Sequence, residues 1–168
     1  MADAHKLIPF ILRWEGGFVN DPDDAGGATN KGITIATFRQ FYGAAATVSQ
    51  LKKITDEQWF HIFKVGYWDR WRADEIESQS VANIVVDWVW ASGVYGITQV
   101  QKILGVTPDG IVGPKTLAAL NGRPADPLFH QIRAARIAFV ENIVRRKPSQ
   151  KKFLNGWKNR ILSFNFEG

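Results

Sequence analysis

Apolar residues recur at three- and four-residue spacings along most of the chain, the period of helices with one buried face. Leu7, Phe10, Ile11 and Trp14 mark a first helix, with Asp3 as its expected N-cap and Gly16-Gly17 as its end. Pro9 falls inside that pattern, so this helix is expected to kink or to start late. Thr34 is placed to cap a helix over Ile35–Tyr42 that Gly43 stops, and the glycine-rich segment 18–32 before it has room for a short hairpin. Thr55-Asp56-Glu57-Gln58 has the form of a capping box and opens a helix with Trp59, Ile62 and Phe63 inward. Residues 80–92 are apolar nearly all round, which predicts a central buried helix; Asn83 and Asp87, four apart, share one face of it. Beyond Gly93, Ile97, Val100, Gln101 and Leu104 predict a short helix, and Thr107-Pro108-Asp109-Gly110 a turn. Pro114 suits the first position of another helix, a long one is expected from Asp126 to about Lys147, and Ser149 is expected to cap a last one over residues 153–160. The pattern therefore predicts a mainly α protein.

Composition narrows this picture. A chain of 168 residues fits one domain, or one with a small helical extension, and 45% hydrophobic content excludes disorder as its main state. With no cysteine there is neither a disulfide framework nor a thiolate metal site. His5, His61 and His130 lack ligand spacing, and no nucleotide loop or serine elbow is present, so neither metal nor cofactor is expected. The N-terminus lacks the pattern of a signal peptide, and no run approaches the ~20 apolar residues of a membrane span, so synthesis in the cytoplasm is expected. Charge is uneven: residues 1–93 hold nine Lys/Arg against twelve Asp/Glu, net −3, and residues 94–168 hold twelve against four, net +8. The basic part suits an anionic partner such as wall polymer or an outer-membrane surface. Nucleic acid is not expected, because no finger, RNA-binding strand motif or helix-turn-helix accompanies the charge. Nothing suggests more than a monomer.

The candidate chemistry sits between Trp14 and Thr34. Glu15 comes at the end of an amphipathic helix beside aromatic bulk, where the helix dipole helps a carboxyl keep its proton. Asp23 and Asp24 follow in a more polar setting. Two carboxyls in contrasting environments serve a glycosidase, one to protonate the leaving oxygen and one to steady or attack the sugar. The plainer alternative makes Glu15 a helix-end partner and Asp21 and Asp24 turn formers. Elsewhere, Tyr67-Trp68-Asp69-Arg70-Trp71 is either core packing or a substrate contact, with Trp68 the candidate. Asp87 either bonds a neighbouring backbone amide or joins Asn83 on the floor of a cleft opposite Glu15. Trp90 and Tyr95 are further candidates to bind sugar.

The run Glu15, Gly16, Gly17, Asp21, Pro22, Asp23, Gly26, Gly27, Thr29, Gly32, Ile33 and Thr34 resembles the signature of glycoside hydrolase family 108, the N-acetylmuramidases found as endolysins and secretion activators. The resemblance implies that Glu15 is the catalytic acid. Gln101, Leu104, the segment from Asp109 to Thr116, and Leu120 look like the repeat of peptidoglycan-binding helical modules, and residues 153–160 resemble the family's C-terminal signature. It follows that residues 1–93 are expected to form a lysozyme-like catalytic domain, with residues 94–168 a small helical peptidoglycan-binding module packed against it. By similarity to phage-type lysozymes, Asp23 or Asp24 stabilises the oxocarbenium ion or orients water, and Thr29 helps to place that water. The implied substrate is peptidoglycan, reached in the periplasm after release through a holin or other pore. Two alternatives stay open: a lytic transglycosylase, and a non-catalytic wall-binding or secretion-accessory protein.

Overall fold

A computed structural model describes residues 1–21 and 26–168 and is mainly α. The chain forms two compact units, one of Ala4–Trp68 and one of Met1–Asp3 with Asp69–Gly168.

In the Ala4–Trp68 unit, a 3-10 turn at Ala4–Lys6 precedes α1, Ile8–Trp14. Pro9 sits in the first turn of α1, where its missing N–H would have had no helical partner, so the helix starts late and is not kinked. Leu7 occupies the N-cap position, and Asp3, expected to cap this helix, stands a turn ahead of it. Two short strands follow, β1 (Thr29–Asn30) and β2 (Ile33–Thr34), paired antiparallel with Thr29 opposite Thr34 and Asn30 opposite Ile33. Lys31 and Gly32 form the turn with φ of 50° and 81°, the two positive values that a two-residue hairpin of right-handed twist requires. Thr34 then caps α2, Ile35–Tyr42, through the Thr37 amide, and Gly43 ends it at φ 101°. Both α3 (Val48–Lys52) and α4 (Asp56–Phe63) open with capping boxes, Thr47 with Gln50 and Thr55 with Gln58. A π-helical turn, Lys64–Trp68, closes the unit and carries the Trp68 indole to complete burial. Trp68 packs on Phe63, which stacks on Trp59.

The other unit is built around α5, Gln79–Ser92, which Ser78 caps through the Val81 amide. Nine of its fourteen residues are buried, as the all-round apolar pattern predicts. Gly93, at φ 60°, turns the chain into α6, Tyr95–Leu104. The two helices approach so closely at Gly96 that a Cβ there would press on the backbone of Trp88 and Val89. Next come α7 (Pro114–Asn121, proline in its first turn), α8 (Ala125–Arg146) and α9 (Leu154–Leu162), whose N-cap is Phe153; Ser149, expected there, lies in the preceding 3-10 turn Pro148–Phe153. Gln101, wholly buried on α6, organises the α6–α7 turn. Its Nε2 donates to Asp109 Oδ1, the Ile111 carbonyl and Thr116 Oγ1 at 3.0–3.2 Å, and its Oε1 accepts from the Gly110 amide at 2.9 Å. The Asp-Gly motif of this module is thus a structural knot. Hydrogen bonds from the Ile111 amide and Gln101 hold the Asp109 carboxyl below its ordinary value.

Asp87 requires a correction. It does not line a cleft: it is fully buried, accepting from Arg160 Nη2 at 2.7 Å and from Arg136 Nη1 at 3.1 Å. Arg136 also donates to the Ile84 carbonyl and lies over the Trp88 and Phe164 rings. Burial holds its guanidinium below the ordinary value, against the pull of Asp87. One carboxylate therefore joins α5, α8 and α9. A charge buried as completely as that of Asp87 needs such pairing.

Candidate active site

Glu15 is the C-cap of α1 and not part of its last turn. Its backbone is extended at φ −87°, ψ 142°, while its N–H still donates to the Ile11 carbonyl at 3.0 Å. The side chain is half-buried at the end of the helix, beside the exposed Trp14. Gly16 and Gly17 follow, and among the described residues a Cβ at either position would meet no atom within 4 Å. Neither has the left-handed backbone that would require glycine, so what they supply is a bare main chain next to the carboxyl.

The next residues fold back on the hairpin. Val19 and Thr29 exchange both backbone hydrogen bonds, at 2.9 and 2.8 Å, and the Lys31 amide donates to the Gly16 carbonyl at 3.2 Å. The hairpin is anchored from its other sides as well. Buried Asn30 donates to the Leu51 and Lys52 carbonyls at 3.1 and 3.2 Å, at the end of α3, where helical carbonyls run out of helical partners; the Leu51 carbonyl also accepts from the Ile54 amide. Trp59 Nε1 donates to the Lys31 carbonyl at 3.0 Å. These bonds hold Thr29 at a set position relative to the main chain beside Glu15. The Thr29 side chain is half-buried, and among the described residues its hydroxyl has no hydrogen-bond partner. Asp23 and Asp24, the expected second carboxylates, lie outside the described residues.

An open groove of about 450 Å³ adjoins these elements, lined by His5, Ile8 and Leu12 of the chain leading to Glu15, by Lys31 of the hairpin, and by Trp59 and Phe60 of α4. Glu15 itself is not part of its lining. Among the described residues, no group of His, Asp and Glu side chains could hold a metal ion, and no helix is long and apolar enough to cross a membrane.

The remaining predicted residues divide differently. Trp68 is a correction: with none of its surface exposed it is core and not a sugar platform, because the π turn points the indole inward. Asn83 is half-buried in the Asp69–Gly168 unit and accepts from Gln79 Nε2 at 2.7 Å. Trp90 is half-buried near the end of α5. Tyr95 is 55% exposed, its ring 5.7 Å from that of Phe139. Sequence reasoning missed Asn30 and Lys31, which position the hairpin. Lys31-Gly32, a residue-glycine pair between two short β-forming segments, was the available signal.

Comparison with known proteins bears on this geometry. The glycosyl hydrolase 108 family model matches residues 8–93, and the model of a predicted peptidoglycan domain matches residues 95–162. Among solved structures, SagA from Brucella abortus is similar, with a TM-score of 0.77 and 30% identity over 95% of this chain and 94% of that one. No curated protein matches.

Proposed function

Because this chain belongs to the glycosyl hydrolase 108 family and carries a peptidoglycan-binding module, and is on those grounds a peptidoglycan hydrolase, we propose that it is an N-acetylmuramidase with Glu15 as its general acid. The bond cut is the β-1,4 link from N-acetylmuramic acid to N-acetylglucosamine. One observation carries the reading: half-buried Glu15 ends α1 before two bare glycines, and the Val19–Thr29 and Lys31–Gly16 backbone bonds tie the Thr29 hairpin to the main chain that follows it. Glu15 protonates the bridging oxygen as positive charge builds on the muramic ring. Asp23 or Asp24 steadies that charge or orients the attacking water, and the Thr29 hydroxyl helps to place the water. The separation of the two carboxyls sets the stereochemistry, ~5 Å for retention and ~6.5–9.5 Å for inversion. The biological setting we propose is that of a phage or prophage endolysin, admitted to the periplasmic wall through a pore. The basic residues 94–168 suit that anionic surrounding.

Clearing of purified peptidoglycan by wild type and Glu15→Gln, with mass spectrometry of the products, tests this. Wild type is expected to release reducing muramic ends, and the variant to lose about 10²–10⁴-fold in rate. Anhydro-muramic ends would identify a lytic transglycosylase. Equal clearing by both proteins would remove Glu15 from the chemistry, and no clearing by either, with both folded, would leave a wall-binding or secretion-accessory protein.

A further inference from the structure

In the Asp69–Gly168 unit an open groove of about 820 Å³ runs between the end of α5, α6 and α8. Its floor is the exposed Tyr95 ring packed on Phe139, flanked by small side chains of α8 that let a ligand approach the helix closely. Gln99 and Asn142 present amides, each able to donate and to accept. Lys102 on α6 and Arg146 on α8 complete the lining, two helical turns, about 10 Å, from Tyr95 and Phe139 respectively. Among the described residues no acid pairs with either cation.

This chemistry discriminates between the two parts of the wall polymer. In intact peptidoglycan the muramic carboxyl is consumed in the amide to the peptide stem, so the glycan is neutral and the stem carries the free carboxylates. A groove with cations, side-chain amides and an apolar floor fits an extended anionic peptide: carboxylates to Lys102 and Arg146, peptide groups to Gln99 and Asn142. We propose that this groove binds the peptide stem of peptidoglycan, which deepens the reading of the chain as a wall hydrolase and rests on it.

The test is a titration of the folded, full-length protein with a free cell-wall tetrapeptide stem containing diaminopimelate, and separately with neutral chitotetraose, followed by NMR and calorimetry. The stem is expected to shift the Tyr95 and Phe139 ring resonances, and chitotetraose to leave them in place. The double variant Lys102→Glu/Arg146→Glu is expected to bind the stem at least about tenfold more weakly, and the neutral Lys102→Gln/Arg146→Gln, the gentler change should charge reversal disturb folding, to fall between. Added salt weakens wild-type binding in the same direction. No stem binding by wild type, ring shifts from chitotetraose alone, or equal stem affinity in wild type and both variants would each overturn the proposal. The titration reads no bond cleavage, so it fails independently of the Glu15→Gln lysis assay.

Discussion

Beside Glu15 the chain places two glycines that neither the backbone conformation nor, among the described residues, neighbouring atoms demand. In a purely structural segment a side chain there would be tolerated or even favoured, since glycine adds entropy to the unfolded chain. Their bareness is explained if substrate lies against this stretch of backbone. Gly17→Ala should therefore move stability and activity in opposite directions. Thermal unfolding is expected to show no loss, or a gain of about 0.4–1 kcal/mol, while wall clearing falls about tenfold or more as the sugar is displaced. Loss of both together would make Gly17 a folding residue instead. Glu15 was readable from the sequence because a carboxyl between an amphipathic helix and a glycine pair is a local pattern. Its extended C-cap conformation, by contrast, depends on where the hydrogen bonds of α1 stop, and helix ends shift by a residue or two without changing the pattern.

Among elements, the hairpin of β1 and β2 is small and is anchored from several sides. Two residue pairs are too few to be stable alone in water. Its position comes from Asn30 on the end of α3, Trp59 on the Lys31 carbonyl and Lys31 on the Gly16 carbonyl. Asn30→Ala removes a buried donor and takes from the Lys52 carbonyl its side-chain partner, while the Leu51 carbonyl keeps the Ile54 amide, so urea denaturation is expected to show a loss of about 1–3 kcal/mol. If the hairpin positions Thr29 for the reaction, the folded fraction of this variant also loses wall-clearing rate. An unchanged rate per folded molecule would reduce Asn30 to a scaffold role. The helices were legible because their apolar period and their caps, Thr34, Thr55 and Pro114, are local signals that agree with one another. The five residues of α3 are too few to show a period, so its capping box has no helical pattern beside it in the sequence.

For the whole molecule, the Asp87–Arg136–Arg160 cluster matters most, because it joins three helices from distant parts of the sequence. Two guanidiniums on one buried carboxylate leave no tolerance for its loss. Asp87→Ala is expected to cost about 3–5 kcal/mol in denaturant unfolding. Because Asp87 touches no solvent, rate per folded molecule should stay near wild type. A rate collapse without destabilisation would return Asp87 to the substrate. The spacing of Asn83 and Asp87 identified a polar face on α5 correctly, but a polar face inside a protein is either a cleft or an ion pair. The partners that decide between these lie 49 and 73 residues further along the chain.

The mainly α class, the Thr34 and Thr55 caps, the proline start of α7, the family signature around Glu15 and the uneven charge can all be read from the chain. Each of these is written in neighbouring residues or in composition. Tertiary structure alone decided that Asp87 and Trp68 are interior, that Gln101 holds the Asp-Gly turn, and that Lys102 and Arg146 border one groove with Tyr95. Burial and charge pairing depend on contacts between residues far apart in the chain, and no local period records them.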